Sequence, residues 1–335
     1  MMDFATLRKE AGLELLDAAS EFSTTISKVS LWETGTELPP LSVINSLRVI
    51  AEIADNPSAL EHGRPKPELS ADKPITNTLF EGDCLEILKL IPNNSVNLIL
   101  CDLPYGTTQN RWDSIIDLDS LWSQYKRVLA PKGAVVLTSQ GVFTAKVILS
   151  NEDWFKYKIV WEKSKSTNFL NAKKQPLRKH EDICVFYDRP ATYNPQMTAG
   201  MPYDKGIRKD QLSGSYGDFL PVHVKSDGAR YPSDVVYFKT AESEPGRSVW
   251  HPTQKPIDLG RYLVRTFSNE GDLVLDNAFG SGSFLVAAAM EKRKFIGIEL
   301  NKESHRFKNE RIDYVALAQQ RIARLGFEPA VVRSQ

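Results

Sequence analysis

Residues 96–106 read VNLILCDLPYG, and this stretch decides the predicted fold. Its first six residues are almost all apolar, which is typical of a strand buried on both faces of a parallel sheet. The run stops at Asp102, and Pro104 and Tyr105 follow at once. Ligands of open α/β sheets bind outside the carboxyl ends of the strands. The stretch therefore predicts a buried strand whose end carries functional residues.

A second strand-to-loop transition, LVLDNAFGSGSF, occupies residues 273–284. The strand ends at Asp276, and Gly280 and Gly282 allow a tight turn against a ligand before the next helix. The following strand ends near Glu299, whose carboxylate can accept hydrogen bonds from both ribose hydroxyls. This pattern is typical of adenosine-binding sites. A nicotinamide site would need a third glycine, and a glycine pair also forms tight turns that bind no ligand.

The loop after the predicted strand at residues 96–101 suits a base that carries an amino group. The exocyclic nitrogen of adenine or cytosine is a poor nucleophile because its lone pair is delocalised into the ring. Asp102 and the carbonyl of Leu103 could each accept one of its N–H groups and direct the lone pair toward a methyl donor. Pro104 restricts the backbone, and Tyr105 could stack on an extruded base. The alternative is a strand that ends in a turn, with the acid as a cap and the tyrosine as packing.

From about residue 75 onward, strand-like and helical patterns alternate, which predicts the α/β class with a mostly parallel sheet covered by helices. Strands are predicted for the run that ends at Asp102 and for residues 133–139, 158–161, 183–187, 272–276 and 295–300. Helices are predicted near residues 118–129, after Pro256, from about Ser283, and as a long final helix.

The chain is expected to contain two domains joined by a linker. Residues 1–54 show apolar residues at helical spacing and predict a small all-α domain. Residues 55–74 combine four prolines with charges and are interpreted as the linker. Residues 75–335 form the α/β domain.

Composition excludes several classes of protein. Lys+Arg and Asp+Glu both total 42, so any attraction to nucleic acid must come from local patches. The three cysteines lack zinc-site or disulfide spacing and fit a reducing compartment, and none follows a proline as a cytosine-C5 nucleophile would. No apolar run approaches the roughly 18 residues of a membrane span. We expect a cytoplasmic protein with no membrane partner.

Taken together, these motifs resemble the β class of amino-DNA methyltransferases, in which the acceptor loop (here residues 102–106) precedes the cofactor loop (here within residues 273–284). The resemblance runs from about Leu79 to Arg311 through six ordered segments: FEGDCLEIL, VNLILCDLPYG, LRKHEDICVFY, HPTQKPIDL, DNAFGSGSF and FIGIELN. It implies a Rossmann-like sheet that binds S-adenosylmethionine, with circularly permuted strand order. The implied reaction is methylation of double-stranded DNA, on adenine N6 rather than cytosine N4.

The resemblance also implies residue roles by position. The catalytic loop would comprise Asp102, Leu103, Pro104 and Tyr105. The cofactor would contact Asp83, Thr253, Gln254, Lys255, Asp276, Ala278, Gly280, Ser281, Gly282 and Glu299, and no metal is required. Two departures are visible, since the family more usually has proline at position 103 and often phenylalanine at position 278. The first is tolerable because that position contributes its carbonyl, whereas the second bears on packing near the cofactor.

A local cluster of positive charge predicts the DNA contact. Residues 156–179 contain eight basic residues and one acid. This balance suits a phosphate backbone, and a solvated charged face is the alternative. The residues predicted to bind nucleic acid are Lys163, Lys165, Lys173, Lys174, Arg178 and Lys179. Residues from about 188 to 250 mix aromatic and basic side chains in loop-like sequence, and we place target recognition there.

The N-terminal module resembles the repressor-type helix-turn-helix family, with LRKEAGL followed by ISKVSLWETG. Four basic residues against eight acidic ones give residues 1–54 a net charge of −4. A module that grips DNA usually has the opposite balance, so dimerisation, partner binding or regulation is an alternative to operator recognition.

Other functions stay open at this point. The acceptor base could be cytosine N4, and the chain could be a DNA-binding regulator whose methyltransferase domain only senses cofactor. An RNA or protein acceptor is a further alternative. Whether the chain forms a homodimer, and whether a restriction enzyme accompanies it, is left open by the sequence.

Overall fold

The computed structural model describes residues 4–10, 26–34, 36, 75–106, 115–207, 222–244, 249–301, 306–307 and 310–333. The chain divides into two compact units, residues 1–68 and 69–335. In the first unit, helix α1 (Phe4–Glu10) contacts helix α2 (Ile26–Glu33) through the rings of Phe4 and Trp32. The rest of the predicted helix-turn-helix and the linker lie outside the described residues, so both stay predictions.

The second unit is built on one sheet, to which nine strands of the described residues belong. They are β1 (Thr78–Glu81), β2 (Val96–Cys101), β3 (Leu129–Ser139), β4 (Phe155–Thr167), β5 (Arg178–Phe186), β10 (Val235–Phe238), β11 (Leu273–Asp276), β12 (Lys294–Glu299) and β15 (Ala330–Arg333). Their order across the sheet is β10-β4-β5-β3-β2-β11-β12-β1-β15. Among them only β5 runs antiparallel to its neighbours.

The remaining described strands form three small two-stranded sheets. β6 (Thr198–Ala199) pairs with β9 (Ala229–Arg230), β7 (Tyr203–Ile207) with β8 (His223–Ser226), and β13 (Arg306–Phe307) with β14 (Glu310–Arg311). The first two pairs lie within the stretch predicted to recognise the target.

Helices cover both faces of the main sheet. They are α3 (Cys84–Leu88), α4 (Leu118–Val128), α5 (Val142–Leu149), α6 (Ile257–Phe267), α7 (Ser283–Met290) and α8 (Tyr314–Ala323). Side chains of α3, α4 and α5 share one buried cluster, and those of α6, α7 and α8 share the other. Alternate residues of the central strands enter alternate clusters, because successive side chains of a strand point to opposite faces. Leu98 and Leu100 belong to one cluster, and Ile99 and Cys101 to the other.

The α/β class and the mostly parallel sheet are confirmed. The predicted strand at 158–161 is longer than expected, since β4 begins at Phe155 and ends at Thr167. The prediction of a long final helix is wrong: α8 has ten residues, and the chain then forms strand β15 beside β1. The strand order does not test the circular permutation, which stays a prediction. No helix among the described residues is long and apolar enough to cross a membrane.

Candidate active site

The predicted site residues meet at the carboxyl ends of adjacent parallel strands. β2 ends before Asp102, β11 ends at Asp276, β12 ends at Glu299, and β1 leads to Asp83. After β2 the chain continues to β3 on one side, whereas after β11 it continues to β12 on the other. Such a reversal leaves a crevice between the two strands, where α/β proteins bind ligands. Strands about 4.8 Å apart place the first and third of these ends roughly 10 Å from each other.

Three side chains donate hydrogen bonds to the Asp102 carboxylate. The Tyr105 hydroxyl donates at 2.8 Å, the Thr138 hydroxyl donates to the same oxygen, and the Lys255 ammonium lies 2.7 Å away. An ionised carboxylate can accept at about four positions. These contacts orient the carboxylate and leave it capacity for one further donor.

The loop after β2 divides its residues between the core and the site. Leu103 is buried and belongs to the same hydrophobic cluster as the side chains of α4, and it also lines the cavity described below. The ring of Tyr105 stacks on Phe143, with centroids 4.9 Å apart and planes at 25°. Burial, followed by the Asp102 charge, holds the pKa of Tyr105 well above its ordinary value. The Tyr105 hydroxyl therefore stays protonated and acts as a donor.

Lys255 connects the loop before α6 to the acceptor loop. Its ammonium contacts Asp102 and lies 3.3 Å from Glu181, which also pairs with Lys163 at 3.2 Å. Burial alone lowers the pKa of Lys255, but the Asp102 and Glu181 carboxylates outweigh burial and raise it. The lysine predicted to lie near the cofactor thus forms a buried ion pair with the acid predicted to be catalytic.

The glycine loop after β11 is held by the next strand end. The Glu299 carboxylate accepts the Gly280 N–H at 2.8 Å and the Asn301 N–H at 3.3 Å. Burial raises the pKa of Glu299, and these backbone donors oppose the shift. Gly282 has φ +75°, and a Cβ atom there would lie 2.8 Å from the Ala318 Cβ. Gly282 therefore lets α7 pack closely against α8.

Two further acids at the strand ends have different roles. Asp276 is buried, which raises its pKa to about 8, although the Cys101 thiol and the Ala278 N–H donate to it and oppose the shift. Asp83 caps α3, because its side chain accepts the Leu85 N–H at 2.8 Å. Both acids line the same cavity.

That cavity has a volume of about 370 Å³, within the range of ligand sites. It brings together all the predicted catalytic residues and, with one exception, all the predicted cofactor residues. The exception is Gly282, which does not line the cavity. Sequence reasoning missed lining residues His251, Asn277 and Tyr314. His251 stands in the quoted HPTQKPIDL segment, whereas nothing in the sequence near Tyr314 indicates a site.

The predicted basic patch lies on the β4–β5 hairpin. Five of its six members are exposed there: Lys165, Lys173, Lys174, Arg178 and Lys179. The prediction does not hold for Lys163, whose side chain is 3% exposed and pairs with Glu181. Its position on the inward face of β4 places it beneath the patch.

The sequence of this chain is similar to those of known proteins. The profile of the DNA methylase family, which covers N6 and N4 methyltransferases, matches residues 96–310. The chain is 30% identical over 249 residues to the DNA adenine methyltransferase YhdJ of Escherichia coli (strain K12), covering 70% of this chain and 82% of that protein. It is 25% identical over 287 residues to the type II methyltransferase M.HinfI of Haemophilus influenzae, covering 76% and 70%.

The fold also has a counterpart among solved structures. The M1.HpyAVI–SAM complex superposes with a TM-score of 0.50 at 21% identity, covering 73% of this chain and 98% of that one. At this identity the similarity concerns the fold alone.

Proposed function

The chain belongs to the N6/N4 DNA methylase family, and from this premise we propose that it methylates the exocyclic amino group of a DNA base, adenine N6 in the first instance. The acceptor base is extruded from the duplex, and its amino nitrogen receives the methyl group of S-adenosylmethionine. The donor leaves as S-adenosylhomocysteine, and the amino nitrogen loses one of its N–H protons. Similarity to a DNA adenine methyltransferase over most of both chains supports adenine. The family covers both amino acceptors, so cytosine N4 is the second candidate.

The surroundings of Asp102 carry the proposal. Its carboxylate is held by Tyr105, Thr138 and Lys255 and has capacity for one more donor. An amino N–H of the acceptor base can fill that position. Holding this N–H directs the nitrogen lone pair out of the ring plane, which makes the nitrogen a better nucleophile. The Leu103 carbonyl is proposed to accept the second N–H, and Tyr105 to stack on the base.

The other half of the cavity suits the cofactor. When bound, S-adenosylmethionine supplies an electrophilic methyl group. Glu299 accepts hydrogen bonds from the backbone N–H groups of Gly280 and Asn301, and it lines the cavity. Its remaining acceptor capacity is proposed to bind the ribose hydroxyls. Asp83, Ala278, Gly280 and Ser281 line the same cavity, as do Thr253 and Gln254. The volume and the mixture of polar and apolar walls fit a nucleoside ligand.

Duplex DNA is the proposed partner. The exposed lysines and arginine of the β4–β5 hairpin supply positive charge for phosphates. The region from about 188 to 250 is proposed to recognise the target. In its described part, the Tyr203 ring lies beneath Lys205 and Arg230, at 5.0 and 4.6 Å.

A cytoplasmic location completes the proposal, since Cys84, Cys101 and Cys184 are free and buried. Measuring the mass in solution tests the homodimer, and co-purification tests a restriction partner.

One experiment tests the reaction and the acceptor together. The full chain is incubated with unmethylated genomic DNA and labelled S-adenosylmethionine, and the nucleosides are resolved by mass spectrometry. Label in N6-methyladenine is expected, and label in N4-methylcytosine would move the reaction to the second candidate. Asp102→Asn should lower the rate about a hundredfold or more, whereas Asp153→Asn, an exposed acid far from the cavity, should leave the rate unchanged. Equal rates for the two variants would refute the role of Asp102.

A further inference from the structure

The β4–β5 hairpin projects from the edge of the sheet that carries the site. β4 runs parallel to β2 and β3, so it ends at their carboxyl edge, and β5 returns in the opposite direction. The last cross-strand pair is Thr167 with Arg178, and the connection between them contains a 3₁₀ turn at Phe169–Asn171. Asn168 opens that turn with φ 68°. The tip of the hairpin therefore extends beyond the strand ends on the side of Asp102.

Two adjacent large apolar side chains form the tip. Phe169 is 75% exposed and Leu170 is 86% exposed. Single exposed apolar residues need no explanation, but a contiguous pair at the end of a projecting turn marks a contact surface. Leu177, on the returning arm, is 44% exposed. The apolar pair contributes nothing to the core and is free to contact a partner.

The charge around this tip indicates what the partner is. Five exposed cations flank the apolar pair, and residues 163–180 contain no acid. A second copy of this hairpin would meet the first with like charge, which disfavours self-association. A polyanion with apolar surface between its charges matches both features. Duplex DNA has such a surface, with stacked bases lying between two phosphate backbones.

Polar contacts tie the hairpin to the acceptor loop. Gln140, directly after β3, donates to the His180 carbonyl at 2.9 Å and accepts from Arg178 at 3.1 Å. Glu181 lies at the base of the hairpin and pairs with Lys255, which holds Asp102. These contacts fix the hairpin relative to the acceptor loop. A duplex that presents a base to Asp102 would therefore also lie near the hairpin, which favours DNA over an anionic membrane as the partner.

We propose that Phe169 and Leu170 insert into the base stack of duplex DNA beside the target and stabilise the duplex after the target base has left it. Extrusion of a base costs free energy, because the base loses its stacking and its pairing. Apolar side chains that enter the gap recover part of this cost. The inference rests on the proposed function, because a chain that did not methylate DNA would have no need of the wedge.

The test compares the double variant Phe169→Ala/Leu170→Ala with wild type on two substrates. One is a duplex containing the sequence that wild type methylates in genomic DNA, and the other has the target base opposite an abasic site. Leu149→Ala is the matched control, because Leu149 is 66% exposed and lies at the C-terminal end of α5, away from the carboxyl edge. The double variant should lose about 10- to 100-fold in kcat/KM on the paired duplex, and recover most of it when the target is already unpaired.

Each other result has a defined meaning. An unchanged rate on the paired duplex, or an equal loss on both substrates, would overturn the wedge and leave the proposed function intact. Absence of methylation by wild type on any DNA would instead refute the proposed function. Thermal unfolding checks that the variants fold. If the double substitution abolishes binding to vesicles of anionic phospholipid yet leaves methylation of duplex DNA unchanged, the hairpin is a membrane contact and the proposal is wrong.

Discussion

Replacement of Lys255 by methionine should destabilise the protein and displace the carboxylate of Asp102. Methionine keeps a flexible chain of similar length but removes the ammonium. The Lys255 side chain is 8% exposed and Asp102 is 23% exposed, with 2.7 Å between the charged groups. Glu181 keeps its second partner, Lys163, at 3.2 Å. The substitution therefore leaves the charge of Asp102 as the group without a cation.

The magnitude follows from burial. Two charges 2.7 Å apart attract by about 6 kcal/mol at an effective dielectric constant of about 20. Desolvation offsets much of this attraction, yet removing one partner of a buried pair costs about 3–5 kcal/mol because the other charge stays buried. Partial exposure of Asp102 favours the lower end, about 3 kcal/mol. Its displacement should also slow methyl transfer, by up to about a hundredfold for a shift of about 1 Å.

Lys89→Met is the matched control for this prediction. Lys89 pairs with Glu86 at 2.7 Å, and both side chains are mostly exposed, at 57% and 70%, so the expected loss is only about 0–1 kcal/mol. The free energies of unfolding are obtained from urea titrations of the ligand-free variants, and methyl transfer is measured on genomic DNA. Equal losses of stability in the two variants would refute the reasoning from burial. A destabilised Lys255→Met that retains the wild-type kcat would refute the positioning role.

Three further predictions follow from single features of the structure. Gly282→Ala should lower the free energy of unfolding, measured in urea, by about 1–3 kcal/mol, because Gly282 has φ +75° and the new Cβ would lie 2.8 Å from an alanine of α8. Gly271→Ala has a similar φ of +83° but open space around it, so it should cost less. The reverse order would contradict the packing role of Gly282. The pKa of Asp276 is raised from 3.8 to about 8 in the folded state, so between these pH values the folded state holds a proton that the unfolded state has lost, and the free energy of unfolding should fall as the pH rises. Asp276→Asn should flatten that decline, and an unchanged profile would assign the decline to other groups. Lys173→Ala/Lys174→Ala should reduce the slope of log K against log salt for duplex DNA by about 2, and an unchanged slope would mean that neither lysine contacts a phosphate.

The elements that could be predicted from sequence are those with a strong local signal. The apolar run before Asp102 and the glycine turn after Asp276 identify strand ends, because a buried strand and a tight turn each require particular residue types. The final strand, β15, was missed because four residues after a helix give too short a pattern to distinguish from a loop. The exposed lysines of the β4–β5 hairpin could be predicted as a group, but the alternation that buries Lys163 depends on the register of β4.

The sequence by itself determined the α/β class and the chemical types at the strand ends, since hydrophobic period and turn residues are properties of short segments. Only the tertiary structure decided which of those residues meet. Lys255 lies 153 residues from Asp102 in sequence, and their ion pair forms because α6, which follows Lys255, packs against β2, which precedes Asp102. Tyr314 lines the cavity because α8 packs against α7. Gly282 does not line the cavity, because it lies against Ala318 of α8 in the same packing. Contacts between distant segments depend on the path of the whole chain, which no local pattern encodes.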